Sequence, residues 1–153
     1  MRTVVPVADD DRGFFAELAA PFGPVTVVCG ERGVRRIHIG DAGSLDSGEM
    51  HSLVERPRHA EVSTAVRQLR EYLAGRRTTF DLSLDLHGTP FQVAVWRSLA
   101  RVPFGRTSTY AAQARSVGRP RAVRAVGSAN GRNPVPIVLP CHRIIASDGT
   151  LGG

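Results

Sequence analysis

The sequence contains no lysine: all 20 of its basic residues are arginine. Acids run short too, since Asp148 is the only one after Asp85. Residues 1–87 hold 11 Arg against 13 Asp and Glu, a balance of −2, while residues 88–153 hold 9 Arg against one Asp, a balance of +8. A general taste for arginine would explain the missing lysine but not the loss of acids from the back half. A concentrated positive field draws polyanions, and arginine–phosphate contacts supply most of the sequence-independent affinity of DNA-binding proteins.

Long apolar runs are also missing. The longest, Val135-Pro136-Ile137-Val138-Leu139, falls far short of the roughly 20 residues a membrane helix needs. Asp9, Asp10 and Asp11 stand where a signal peptide would be apolar. No membrane partner is expected. Cysteine is scarce: Cys29 and Cys141 are far apart in a chain without secretory features, which argues against a structural disulfide and for a reducing, cytoplasmic setting. Cys29, His38, His51, His59 and His87 show no ligand-pair spacing, so no metal site is expected, and Cys29 reads as a buried strand residue. With 42% hydrophobic residues, 153 residues can build one ordinary domain or two small ones.

Two textures meet near His87-Gly88-Thr89-Pro90. Before it the pattern is mixed α/β, giving an N-terminal domain over 1–87. Val25 to Cys29 and Val34 to Ile39 read as strands joined by the turn Gly30 to Gly33, and Phe80 to Leu86 alternates like a third. Val62, Val66, Leu69 and Leu73 recur at helical spacing with Gly75 as a stop. Asp41 to Arg58 reads as a surface loop.

The second domain, 88–153, reads as short helices. Thr89 caps the first, with Pro90 at its first position, Phe91, Val95, Leu99 and Val102 on one face, and Pro103 and Gly105 ending it. Ser108 or Thr109 caps a second helix to about Ser116, Val117-Gly118 makes a turn, and Arg119-Pro120 opens a third through about Ala129. Helix, glycine-containing turn, helix is the helix-turn-helix outline. Asn130 to Asn133 reads as a tight turn, and Val135 to Leu139 as a short buried strand.

Chemistry concentrates at Pro140-Cys141-His142-Arg143. A cysteine is a nucleophile only as a thiolate, favoured by an adjacent base or a nearby cation. His142 offers the base, Arg143 the cation, and Pro140 fixes the backbone entering the site. A free cysteine after an apolar run can equally be a small core residue.

The segment Ile137 to Ile145 resembles the active-site signature of the O6-alkylguanine-DNA alkyltransferase family. Arg121-Ala122-Val123-Arg124-Ala125-Val126-Gly127 is similar to the family's recognition helix, Asn133-Pro134-Val135-Pro136 to its asparagine hinge, and Phe104 to Tyr110 to the lead into its first paired helix. A looser likeness runs through Pro21 to Val27 and Phe80 to Leu86. The resemblance implies an α/β N-terminal domain, a small RNase H-like sheet with a helix, followed by a helical, winged helix-turn-helix-like domain. It implies a methylated-DNA–protein-cysteine S-methyltransferase working once, without cofactor or metal. The substrate would be double-stranded DNA carrying O6-alkylguanine, with O4-alkylthymine a further substrate, and the protein a monomer.

Residue by residue, Cys141 matches the alkyl acceptor, and His142 the base drawing its proton through a water. Tyr110 matches a donor to the guanine that also crowds the neighbouring phosphate. Asn133 matches the brace behind the cysteine. Arg124 matches the arginine that enters the stack where the base has left. Ala122, Ala125 and Gly127, with Arg121, would let the helix lie close in the minor groove, where little sequence is read. A major-groove regulator, by contrast, has no need of Pro140-Cys141-His142-Arg143.

The family normally continues past the point that Gly153 reaches, with a tyrosine-containing loop and a helix bearing a glutamate that orients the histidine. A truncated chain is the expectation. The alternatives are a non-catalytic alkylguanine-binding protein and a shortened, inactive member.

Overall fold

The computed structural model describes residues 13–146, and these divide between Leu86 and His87 into two compact units. In the first unit, strands β1 (Gly13–Ala20), β2 (Gly23–Gly30) and β3 (Gly33–Ile39) form an antiparallel meander. A short strand β4 (Leu53–Glu55) lies parallel to β1, giving the order β3-β2-β1-β4. β2 is central, and every residue from Val25 to Gly30 is buried. A strand covered on both faces reads as a continuous apolar run, which is how Val25 to Cys29 looks in the sequence.

Helix α2 (Ala60–Leu73) packs across β1, β2 and β3, burying Val62, Ala65, Val66 and Leu69. Ala74 ends the helix and Gly75 follows at φ 75°, where a residue with a Cβ pays for the left-handed turn. The segment read as a surface loop, Asp41 to Arg58, is structured instead. A 3-10 turn over Ala42–Ser44, helix α1 (Ser47–His51) and β4 occupy it. Asp41 and Asp46 cap the two turns with their side chains. Ala42 and Leu45 are buried with Phe15 and Val28, a cross-strand pair, so this segment closes a second small core. Its apolar residues are too few and too scattered to show a period.

Two further strand readings change. β1 is absent from the sequence reading because Ala16, Glu17, Leu18, Ala19 and Ala20 are residues that suit helices; pairing with β2 on one side and β4 on the other overrides that preference. Phe80 to Leu86 alternates as a strand does, yet it makes one bridge only, Val34 to Leu84. Val34 N–H donates to Ser83 O at 2.9 Å and Asp85 N–H to Val34 O at 2.9 Å. Asp85, nearly buried, accepts from Arg35 Nε at 3.1 Å. The segment is thus clipped to the sheet edge at one point and needs no longer ladder.

In the second unit, Thr89 and Gln92 form a reciprocal capping box at the start of α3 (Pro90–Leu99). The helix ends at Leu99, ahead of Val102 and Pro103, because its last turn closes through Ala100, Arg101 and Val102. Thr109 caps α4 (Tyr110–Ser116), and Gly118 at φ 73° makes the turn that follows. The next helix, α5 (Val123–Gly131), starts later than Arg119-Pro120 suggests. Pro120 and Arg121 sit in a turn closed by Ala122 N–H to Arg119 O, and Ala122 is the capping residue. α5 also runs on to Gly131, so the residues read as a tight turn are partly helical. Val95, Ala114, Val126 and Ala129, one or two from each helix, make the shared core. Trp96 Nε1 donates to Ala129 O at 2.7 Å and pins α3 to α5.

Gly33 sits at φ 138°, and a Cβ there would lie 2.3 Å from Ser83 O, against the clip of residues 83–85. Gly75 has open space around its Cβ position. Gly33→Ala should therefore destabilise the first unit by roughly 3 kcal/mol and Gly75→Ala by about 1 kcal/mol, read as chemical-denaturation midpoints. Equal losses would show that the 83–85 clip does not need Gly33.

Candidate active site

The stretch expected to be a strand, Val135 to Leu139, is a compact turn. Leu139 N–H closes on Val135 O at 2.9 Å, and Val138 N–H on Pro136 O at 2.9 Å. Ile137 lies between them at φ 73°, the one described non-glycine residue with positive φ. A β-branched residue in that region costs on the order of 1–3 kcal/mol and survives only where its surroundings hold it. Pro134 and Pro136 cannot donate to a ladder, which is why the apolar run does not pair as a strand.

Asn133 holds the turn. Its Nδ2 donates to Leu139 O at 2.8 Å, and its Oδ1 accepts from Val135 N–H at 3.0 Å. One amide thus clamps both ends of the loop. Leu139 O also accepts Cys141 N–H at 2.9 Å, so the brace ends one hydrogen bond from the cysteine backbone.

Cys141, His142 and Arg143 form a single 3-10 turn, followed by strand β6 (Ile144–Ile145). β6 pairs in parallel with β5 (Ser108–Thr109), matching Ser108 to Ile144 and Thr109 to Ile145. The chain just before Tyr110 therefore runs beside the chain just after Cys141. This two-stranded pairing, invisible in sequence because neither strand exceeds two residues, brings together residues 36 positions apart. Arg143 Nη1 donates to Val102 O at 2.8 Å, and its guanidinium lies 5.5 Å from the Phe104 ring centroid. It anchors the cysteine turn to the loop after α3, a tie the sequence signals only through the Phe104 and Arg143 types.

The two cysteines differ sharply. Cys29 is fully buried in β2, and burial, then Glu61, push its thiol up to about 12 despite Arg35. It is an inert core residue at neutral pH. Cys141 is partly exposed and free. His142 is exposed as a residue, yet the packing around its imidazole, followed by the charge of Arg143, lowers its pKa below the ordinary 6.5. A neutral imidazole at physiological pH can take a proton.

The remaining residues lie on the helix pair. Tyr110 opens α4, half-buried against the helical core. A Cβ on Gly127 of α5 would stand 3.8 Å from Tyr110 Cδ1 and Cε1, so the Tyr110 ring lies against the α5 backbone there. Arg124 and Ala125 are exposed in the first turn of α5, with Arg121 exposed and Ala122 half-buried just before it. The face from Arg119 to Ala125 carries Arg119, Arg121 and Arg124 with no acid, as the charge partition requires.

Neither of two prominent cavities contains Cys141. One, about 260 Å3, is lined by Ser98, Val102, Ser108, Gln113 and Ile144; the other, about 420 Å3, belongs to the first unit. Among the described residues no group of three or more His, Cys, Asp or Glu side chains could hold a metal ion. No described helix is long and apolar enough to cross a membrane.

Residues 14–86 match the family model for the ribonuclease-like domain of 6-O-methylguanine DNA methyltransferase, and residues 90–153 match that for its DNA binding domain. The constitutive methylated-DNA–protein-cysteine methyltransferase of Bacillus subtilis is 39% identical over 92% of this chain and 85% of that protein. Its counterpart in Methanosarcina barkeri is 39% identical over 92% and 87%. Crystal structures of the Mycobacterium tuberculosis O6-methylguanine methyltransferase and of the same organism's OGT in complex with DNA are each 38% identical, with TM-scores of 0.81 and 0.78. Each covers 92% of this chain and 83% of the other. With two family domains matched in order and a half-exposed cysteine braced in the turn that follows the helix pair, the chain belongs to the 6-O-methylguanine DNA methyltransferase family.

Proposed function

We propose that this chain repairs DNA by direct reversal, moving an alkyl group from O6 of guanine to Sγ of Cys141, where it stays. What carries the reading is the partly exposed Cys141, which follows a turn clamped by Asn133 and is tethered through β5 and β6 to the start of the Tyr110 helix. The thiolate sulfur attacks the alkyl carbon. The S–C bond forms as the C–O6 bond breaks, and guanine leaves with the electron pair and takes up a proton, for which Tyr110 is the donor. The thiol proton passes to neutral His142 through a water. No cofactor enters this balance.

The substrate base must leave the duplex to reach a cysteine held in a turn. Arg124, exposed on α5, is the planar cation that fills the vacated stack, and Ala122, Ala125 and Gly127 keep the helix surface shallow for a minor-groove approach. The α4 and α5 pair then serves as a helix-turn-helix that reads backbone rather than sequence, with Arg121 on phosphate. The chain acts as a monomer on double-stranded DNA in the cytoplasm.

Intact mass after exposure to duplex containing O6-methylguanine is the direct test. One methyl increment on Cys141 is expected, lost in Cys141→Ala while DNA binding persists. Binding without any increment would make the chain an alkylguanine-binding protein instead. Asn133→Ala frees both ends of the turn, removing hydrogen bonds worth about 1 kcal/mol each; transfer should slow far more than DNA affinity falls.

Acid should act through His142. Its pKa lies below 6.5, so the imidazole is neutral through pH 7 and gains a proton only as pH falls past that lowered value. Single-turnover transfer should hold from neutral down to that point and then decline. An acid limb centred above 6.5 would remove His142 from the proton path. DNA affinity should weaken with salt through counterion release, and Arg124→Ala should change the log–log slope by less than about one unit, since it fills the stack rather than pairing with phosphate.

A further inference from the structure

Between the helices lies a polar cluster that the transfer step leaves unused. Gln113 of α4, Asn130 of α5 and Ser98 of α3 are buried, at 5%, 6% and 7% exposure. Gln113 Nε2 donates to Asn130 Oδ1 at 2.9 Å, and Asn130 Nδ2 donates back to Gln113 Oε1 at 2.7 Å. Gln113 Nε2 also lies 3.1 Å from Ser98 Oγ and 3.2 Å from Val95 O, while Ser98 Oγ donates to Val95 O at 2.6 Å. Every polar atom of the two amides is engaged.

The pair's position matters more than its strength. Gln113 lies one helical turn beyond Tyr110, and Asn130 one turn beyond Gly127, the residue on which the Tyr110 ring rests. Two rungs therefore join α4 to α5: Tyr110 on Gly127, then Gln113 on Asn130. Three residues past Asn130, Asn133 clamps the turn that leads into Cys141. The β5–β6 pairing fixes where α4 begins, and Ala114 packs the helix against Val95, Val126 and Ala129. Apolar burial is non-directional. A reciprocal amide pair has one register, and in a buried setting it specifies that register at little gain in stability.

We infer that Gln113 and Asn130 are positioning residues for transfer, setting the height of Tyr110 relative to the Cys141 turn and hence how the flipped base is seated. This rests on the reading of Cys141 and Tyr110 given above. The double variant Gln113→Leu/Asn130→Leu removes both amides together, so neither is left unpaired, and Ser98 keeps its bond to Val95. Three quantities separate the roles: melting temperature, affinity for O6-methylguanine duplex, and the first-order rate of the Cys141 mass increment from the bound complex.

The double variant should melt near the parent and bind DNA as well, while its bound-complex rate falls by about tenfold or more, the scale that ångström misplacement of reacting groups produces. The exchange Gln113→Asn/Asn130→Gln, which keeps the pairing, should recover much of that rate. A double variant with parental rate and parental melting would overturn the positioning role and leave the pair as packing. Should the double variant not fold, Gln113→Met decides: it keeps the length of the side chain and removes every hydrogen bond of the Gln113 amide, so a parental rate in it overturns the inference equally. No increment in the parent chain would overturn the acceptor reading and this one with it, whereas a normal increment in the variants sinks this one alone.

Discussion

One side-chain amide holds the turn that leads into Cys141. Asn133 spans the turn between α5 and Cys141, accepting from its first free N–H and donating to its last carbonyl. Without it, only the two backbone hydrogen bonds around Ile137 would hold its positive φ, and Leu139 O would lose one of the two donors that orient it. The cysteine has no regular element of its own to sit on. It follows a loop whose two ends are tied by one side chain, which would suit the proposed nucleophile, since it must meet one carbon atom at one angle.

Everything else in the second unit supports that loop from a different side. α5 delivers the chain to Asn133, and α3 holds α5 through Trp96 and Ala129. β6 carries the chain away and is tied to β5, which opens into the Tyr110 helix. Arg143 fastens the turn to Val102. The ties are mostly side chain to backbone.

The charge partition acts on another scale. The second unit's sequence sets 9 Arg against a single acid, whereas the 11 Arg of residues 1–87 are balanced by 13 acids. Exposed charges of this kind add little to stability and much to the rate and reach of encounter with a polyanion. In the proposed function, recognition of DNA by charge and repair by a braced thiol are separate properties of one small unit: the first is spread over many side chains, the second depends on a few.

Much of this was legible from the sequence alone, and for local reasons. The capping box at Thr89 and Gln92, Thr109 before Tyr110, the left-handed Gly75 and Gly118, the buried Val25 to Cys29 run and the Pro-Cys-His-Arg segment are each decided within a few residues of themselves. The chemistry of Cys141 and His142 is carried by their types. What only the tertiary structure decided depends on partners far along the chain. β1 exists because β2 and β4 flank a segment whose residues prefer helix; Phe80 to Leu86 stops at one bridge because Val34 alone meets it; Val135 to Leu139 turns because Asn133 and two prolines forbid a ladder. The Gln113–Asn130 pair belongs to the same class. Two amides 17 residues apart carry no mark in the sequence that they will meet, since a buried hydrogen bond forms only where packing has removed the water that either would otherwise keep.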